Sequence, residues 1–164
     1  MKFKNLVLTL GALMMLTFTS MAAAAPSPVN RSMTAINAAK AEIPAVCELV
    51  GYNVEGDTSI ITFKDPNTLE RYVVDVNTAT AKVKEIEVKG ATFVMGSTMV
   101  TKTPDDIEKI VLKNYPNAYE IVITQGQDGN NIYYIADFLT DKFDGELKLD
   151  PVTGAICERE LEYF

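Results

Sequence analysis

Tyr115-Pro116-Asn117-Ala118-Tyr119-Glu120-Ile121-Val122 repeats a stretch 72 residues earlier, Ile43-Pro44-Ala45-Val46-Cys47-Glu48-Leu49-Val50, with the proline, the glutamate and the final valine coinciding. After one inserted residue the offset becomes 73, and Val76-Asn77-Thr78-Ala79-Thr80-Ala81-Lys82-Val83 meets Leu149-Asp150-Pro151-Val152-Thr153-Gly154-Ala155-Ile156. Self-similarity at a fixed offset means that one supersecondary unit is used twice.

Outward from these stretches the apolar period changes. Before Pro116 it is helical: Thr103-Pro104-Asp105-Asp106 offers an N-cap, a first-turn proline and acids where the helix dipole favours them, and Ile107, Ile110 and Val111 follow at helical spacing. Before Pro44, Ser32 to Ile43 repeats this with alanines in place of larger residues. After each proline the period is 2. In the second half, strands are expected at Tyr119 to Thr124, Ile132 to Phe138, Glu146 to Leu149 and Ile156 to Phe164, with an acidic loop at Asp141 to Gly145. In the first half they are expected at Val46 to Tyr52, Ser59 to Phe63, Arg71 to Val76 and Lys82 to Val88.

The expected fold class is therefore α+β, with two tandem units, each one helix packed on a four-stranded antiparallel meander. The first unit is 32–89, the second 103–164, with a connector over 90–102 and a flexible segment over 25–31. Lobes this small are marginal alone and are expected to pack on each other. The fourth strand of each unit is the natural sheet edge. A peptide can add to such an edge, although Glu158, Glu160 and Glu162 on the last strand are a pattern that usually blocks pairing.

Lys2 and Lys4 precede an apolar run from Leu6 to Phe18, then small residues from Ser20 to Ala25. This is the pattern of a signal peptide over 1–24, cleaved after Ala24. The run falls short of the roughly 20 residues that span a bilayer, so no stable membrane anchor is expected after cleavage, and the product is expected to be secreted or periplasmic.

The chain has 164 residues, 48% of them hydrophobic, with 15 Lys+Arg, 22 Asp+Glu and no histidine. Without histidine, Ser-His and Cys-His nucleophiles and His-ligated metals are excluded. The net charge of -7 becomes -9 once Lys2 and Lys4 leave with the leader, which argues against nucleic acid as a partner. The paired carboxylates Asp105-Asp106 and Glu158-Glu160 read better as a helix-dipole partner and a solvated strand face than as an acid/base pair. No catalytic residue, cofactor or metal is assigned. Asp137, Asp141, Asp144, Glu146 and Asp150 crowd one end of the second unit, but without the spacing of a calcium loop.

Export leaves two readings open for Cys47 and Cys157. They can pair in a disulfide, closing a long loop for roughly 4 to 5 kcal/mol on the chain-entropy model, or each can fill its own core as a free thiol. In the connector, Phe93, Val94, Met95, Met99 and Val100 are apolar. They read as interface or sheet-extending residues, or more sharply, with Phe93 and Met95 foremost, as a partner surface.

The helix ending in Tyr-Pro or Ile-Pro, the Gly-containing hairpin and above all Asp150-Pro151-Val152-Thr153-Gly154-Ala155-Ile156 resemble the PepSY domain, whose turn reads Asp-x-x-Thr-Gly-x-hydrophobic. The resemblance spans nearly all of the chain after residue 24, as two copies. In the first copy Asn77 replaces the Asp and Ala81 the Gly. Asp150, Pro151, Thr153 and Gly154 are thus structural: Asp caps backbone N–H groups, Pro fixes φ, and Gly takes a conformation costly for other residues. The resemblance implies an exported, non-catalytic binding module, one that modulates or inhibits a secreted or periplasmic peptidase. The alternative is a cell-envelope protein that binds a ligand or cation, or serves in a structural assembly. The partner surface would draw on Phe93, Met95, Glu158, Glu160 and Glu162.

Overall fold

The computed structural model describes residues 27–90 and 96–164. The expected leader with its expected cleavage point after Ala24, and Phe93, Val94 and Met95 of the connector, lie outside the described residues. Among these residues the chain forms α1 (Pro28–Ala41), β1 (Glu48–Glu55), β2 (Thr58–Lys64), β3 (Arg71–Asn77), β4 (Val83–Lys89), α2 (Pro104–Asn114), β5 (Tyr119–Asp128), β6 (Asn131–Leu139), β7 (Phe143–Leu149) and β8 (Ile156–Tyr163).

The strands make one antiparallel sheet of eight in the order β1-β2-β3-β4-β8-β7-β6-β5. This overturns the expectation of two tandem units, each a helix on its own four-stranded sheet. β4 and β8 pair with each other, Glu85 to Lys89 against Glu162 to Glu158. The fourth strands thus form the centre, and the edges are β1 and β5. The physical reason is edge economy: every edge strand leaves a row of backbone groups without partners, and joining two meanders removes two such rows. It also merges two apolar layers that would each be small for an independent core.

Both helices lie on one face. α1 packs on β2 and β3, α2 on β5 and β6. Residues directly opposite in adjacent strands share a face, and the row Phe63, Tyr72, Val88, Arg159, Leu147, Ala136 runs across six strands on the helix side. The core is built on that side, with Phe63, Val74, Leu147 and Phe138 fully or almost fully buried. α2 starts as its sequence requires. Thr103 Oγ1 accepts from the Asp106 N–H, and Asp106 Oδ2 accepts from the Thr103 N–H. Ile107 and Val111 are buried against the sheet. α1 starts earlier than its apolar spacing implied: Ser27 caps it and Pro28 opens it. Part of the segment read as flexible, 25–31, is therefore helix. Ser32 is interior, its Oγ donating back to the Val29 carbonyl at 2.9 Å.

Two local readings change. The acidic loop expected at Asp141 to Gly145 is shorter, because β7 already begins at Phe143 and Thr140 Oγ1 closes the turn by accepting from the Lys142 and Phe143 N–H groups. Gly145 is then a strand residue opposite Phe138, and its missing Cβ leaves the room that the Phe138 ring occupies. Cys47 and Cys157 are both free thiols, the first buried and the second half-buried. Cys47 lies in the turn before β1 and Cys157 on β8, with β2, β3 and β4 between those two strands, and neither sulfur is bonded to the other, so the disulfide reading is corrected.

The capped turn between β7 and β8 is formed. Asp150 Oδ1 accepts from the Val152 N–H, the Thr153 N–H and Thr153 Oγ1 at 3.0, 2.7 and 2.8 Å, and Gly154 has φ 76°. In the connector, Ser97 exchanges two backbone hydrogen bonds with Ile132, extending the sheet beside β6, while Met99 and Val100 are exposed.

Candidate functional site: the helix-free face of the sheet

The face without helices carries its charges in transverse rows, because antiparallel register aligns every second residue of neighbouring strands. One row reads Asp75, Glu85, Glu162, Asp144 across β3, β4, β8 and β7. The next reads Glu87, Glu160, Glu146, Asp137 across β4, β8, β7 and β6. Within these rows, six cross-strand pairs oppose acid to acid. Like charges directly opposite destabilise a sheet.

A third row bounds them with the opposite sign: Lys64, Arg71 and Lys89 run up to Glu158, with Lys148 beyond it. Glu158 is buried in the grip of Lys89 Nζ at 3.8 Å and Lys148 Nζ at 3.4 Å. The same two ammonium groups reach Glu87 at 2.7 Å and Glu146 at 3.4 Å. Asp75, Glu85, Asp137, Asp144, Glu160 and Glu162 make no ion pair among the described residues.

The titration of these acids reflects their crowding. Partial burial, then the charges of Glu160, Asp75, Glu162 and Glu87, push the Glu85 carboxyl above the ordinary range. Asp137 is raised by burial and by Glu146 and Asp144, and Glu160 by burial and chiefly by Glu146. Asp75 is raised by burial, with Lys84 opposing and Glu55 and Glu87 adding to it. Asp137, Asp144, Glu146, Glu160 and Glu162 line a shallow cleft of about 180 Å³. The acids stand side by side at strand spacing rather than around a point. Among the described residues, no three His, Cys, Asp or Glu side chains are placed to hold a metal ion. Such a surface attracts extended positive charge.

No family model matches the chain, and no curated protein matches it. Among solved structures it is similar to a candidate lipoprotein from Clostridium difficile 630, at 16% identity, covering 80% of this chain and 92% of that one with a TM-score of 0.32. It is also similar to a BLIP-like protein from Bacteroides fragilis NCTC 9343, at 11% identity, covering 79% and 84% with a TM-score of 0.33. Superpositions this loose transfer neither description to this chain.

The structure divides the residues singled out from sequence. Glu160 and Glu162 join Asp137, Asp144 and Glu146 at the cleft, whereas Glu158 is sequestered by its two lysines. Asp150 is occupied by its turn and Asp106 by its helix cap, and Asp141 lies in the turn before β7. Sequence reading missed Asp75, Glu85 and Glu87. The signal was present, since Glu85 and Glu87 alternate with Ile86 and Val88 as Glu160 and Glu162 flank Leu161. What it lacked was the β4–β8 pairing that sets the two sets side by side.

Proposed function

We propose that the chain is an exported, non-catalytic binding module that takes a basic partner surface on the helix-free face of its sheet, and that the partner is an exported peptidase whose activity the contact modulates. The observation that carries the binding reading is the set of six opposed acid pairs. A sheet that keeps them gives up stability for a surface charge with another use. Clustered charge of one sign speeds encounter with a complementary surface and selects against others. The peptidase comes from the PepSY-like turn at Asp150 to Ile156, and export from the leader pattern.

The test uses the processed protein against a panel of exported metallo- and serine endopeptidases, following residual cleavage of a short peptide at low and high salt. Dose-dependent loss of one activity is expected, weakened by salt and by the double substitution Glu160→Lys, Glu162→Lys. No loss across the panel removes the peptidase as partner. Inhibition indifferent to both salt and charge reversal removes the acidic face as the contact.

A further inference from the structure

α1 packs on β2 and β3, and α2 on β5 and β6. Between them, on the helix side of β4 and β8, runs a groove of about 340 Å³. Its floor is apolar, made by Ile86 and Val88 of β4 and Leu161 of β8, all buried. One wall is aromatic: Tyr115, the C-cap of α2, meets Phe143 edge-on with ring centroids 5.9 Å apart, and Phe143 meets Tyr163 at 5.4 Å. Clefts of this size and lining, with a few convergent polar groups, are where proteins hold small ligands. The polar groups here are incompletely used. Arg159 of β8 stands between Val88 and Leu147, its side chain 26% exposed. Its charged partner, Glu70, lies at 3.6 Å, beyond hydrogen-bond reach, and Glu70 Oε2 is taken by the hydroxyls of Tyr72 at 3.0 Å and Thr68 at 3.1 Å. The pairing offsets charge but leaves the planar fork of N–H donors without an acceptor. The Tyr115 hydroxyl likewise makes no hydrogen bond among the described residues. No buried side-chain oxygen or nitrogen among those residues lacks a partner, so both groups open onto the groove. Burial raises the Tyr115 hydroxyl and the Arg159 charge opposes the rise, so the two feel each other across the groove. At the other end Glu42, the C-cap of α1, is exposed and accepts from the Tyr163 hydroxyl at 3.2 Å.

We propose that this groove binds a short apolar peptide with free ends, its terminal carboxylate on Arg159 and Tyr115, its terminal ammonium on Glu42, and its side chains over Ile86, Val88 and Leu161. Charge complementarity selects this ligand. A carboxylate satisfies the guanidinium donors that Glu70 leaves free, from the other edge of the fork, in a charge-assisted contact. An ammonium neutralises the exposed carboxylate at the mouth. An apolar carboxylate without an ammonium, such as a fatty acid, leaves Glu42 unanswered and adds negative charge beside Glu70. Length agrees as well. Arg159 and Tyr163 lie four residues apart on β8, about 13 Å along the strand. An extended peptide of about three or four residues, at about 3.3 Å each, spans that distance. The acidic rows lie on the opposite face, since Glu160 and Glu162 alternate with Arg159, Leu161 and Tyr163. The groove is therefore a second site, independent of them.

The test is calorimetric titration of the processed protein with trileucine, its C-terminal amide, its N-acetyl form and decanoate. Trileucine is expected to bind, and the amide to bind about tenfold more weakly, as for the loss of one charge-assisted hydrogen bond. The N-acetyl form and decanoate, which lack the ammonium, are both expected to bind more weakly than trileucine. Arg159→Gln and Tyr115→Phe are each expected to weaken trileucine, and the double substitution Glu160→Lys, Glu162→Lys on the other face to leave it unchanged. Should Arg159→Gln not fold, Tyr115→Phe, which removes only a hydroxyl, carries the test. No trileucine binding at millimolar concentration overturns the inference. So does binding that amidation or both groove substitutions leave unchanged. Decanoate binding as tightly as trileucine removes the peptide as the ligand.

Discussion

Glu85 of β4 and Glu162 of β8 stand directly opposite each other in the strand pair that joins the two halves of the molecule. Glu162 also faces Asp144 on its other side. One carboxylate thus opposes two others, and a neutral side chain of equal size relieves both contacts. Glu162→Gln is expected to raise stability by about 0.5 kcal/mol, within the range of single cross-strand pairs, and to weaken capture of a basic partner. Thermal melts read the first effect and salt-dependent binding the second. Opposite movement of the two is the signature of a charge kept for contact; a loss of stability would sink this account of the acidic rows.

Two groups of acids act in opposite senses on lowering the pH. Asp75, Glu85, Asp137 and Glu160 have raised values. The folded state takes their protons before the unfolded state does, so their penalty is present at neutral pH and is relieved as pH falls through the raised values. Asp57 and Asp106 are lowered by hydrogen bonds from Thr58 and Lys84 and from Thr103. In Asp150, burial is outweighed by the Thr153 and Val152 donors, and the net shift is again downward. These three stabilise above the ordinary carboxylate value of about 4 and lose that contribution as pH falls through their own lower values. Tm is therefore expected to rise from pH 7 into the mildly acidic range and to fall below it. A steady decline from neutral pH downward would contradict this order.

How far the sequence reaches is plain from particular residues. Thr103 and Asp106 announce α2 because capping is local chemistry, and the alternation of Ile86 and Val88 with Glu85 and Glu87 is legible because strand period is local too. The partner of β4 is not local. Nothing in Lys84 to Lys89 names β8, since two apolar-and-acid strands pair as readily with solvent-facing edges as with each other. The acidic face follows from that one non-local pairing. The start of α1 is harder to read for a different reason: Ser27-Pro28 caps and opens it in the structure, whereas the weak alanine stripe begins only after Ser32 and carries no signal for the turn before it.

Asn77 and Asp150 close equivalent turns. Asn77 Oδ1 accepts from the Ala79 N–H, the Thr80 N–H and Thr80 Oγ1 at 3.1, 2.9 and 3.0 Å. The residue that follows the capped turn is left-handed in both, Gly154 at φ 76° and Ala81 at φ 55°. Only glycine adopts that region freely. Ala81→Gly is expected to stabilise by about 0.5 to 1 kcal/mol, and Asp150→Ala to destabilise by about 1 to 3 kcal/mol through lost hydrogen bonds to an ionised acceptor. Denaturant midpoints at constant slope measure both. A destabilising Ala81→Gly would show that the turn is held by contacts rather than by its backbone conformation.

The cysteines yield a last prediction. Burial, then the nearby Asp65 and Glu70, raise the Cys47 thiol, and burial and Asp150 raise Cys157. Thiolate is the reactive form, so both are expected to react slowly with a thiol reagent at neutral pH and Cys157, the less buried, to react first. Full reaction of two thiols per chain is expected on unfolding, and reductant is expected to leave Tm unchanged. Oxidation cannot join them without dismantling β2, β3 and β4 between them. A Tm that drops by many degrees on reduction would therefore contradict the strand order itself, since only a sheet that brought Cys47 and Cys157 within about 7 Å allows the bond.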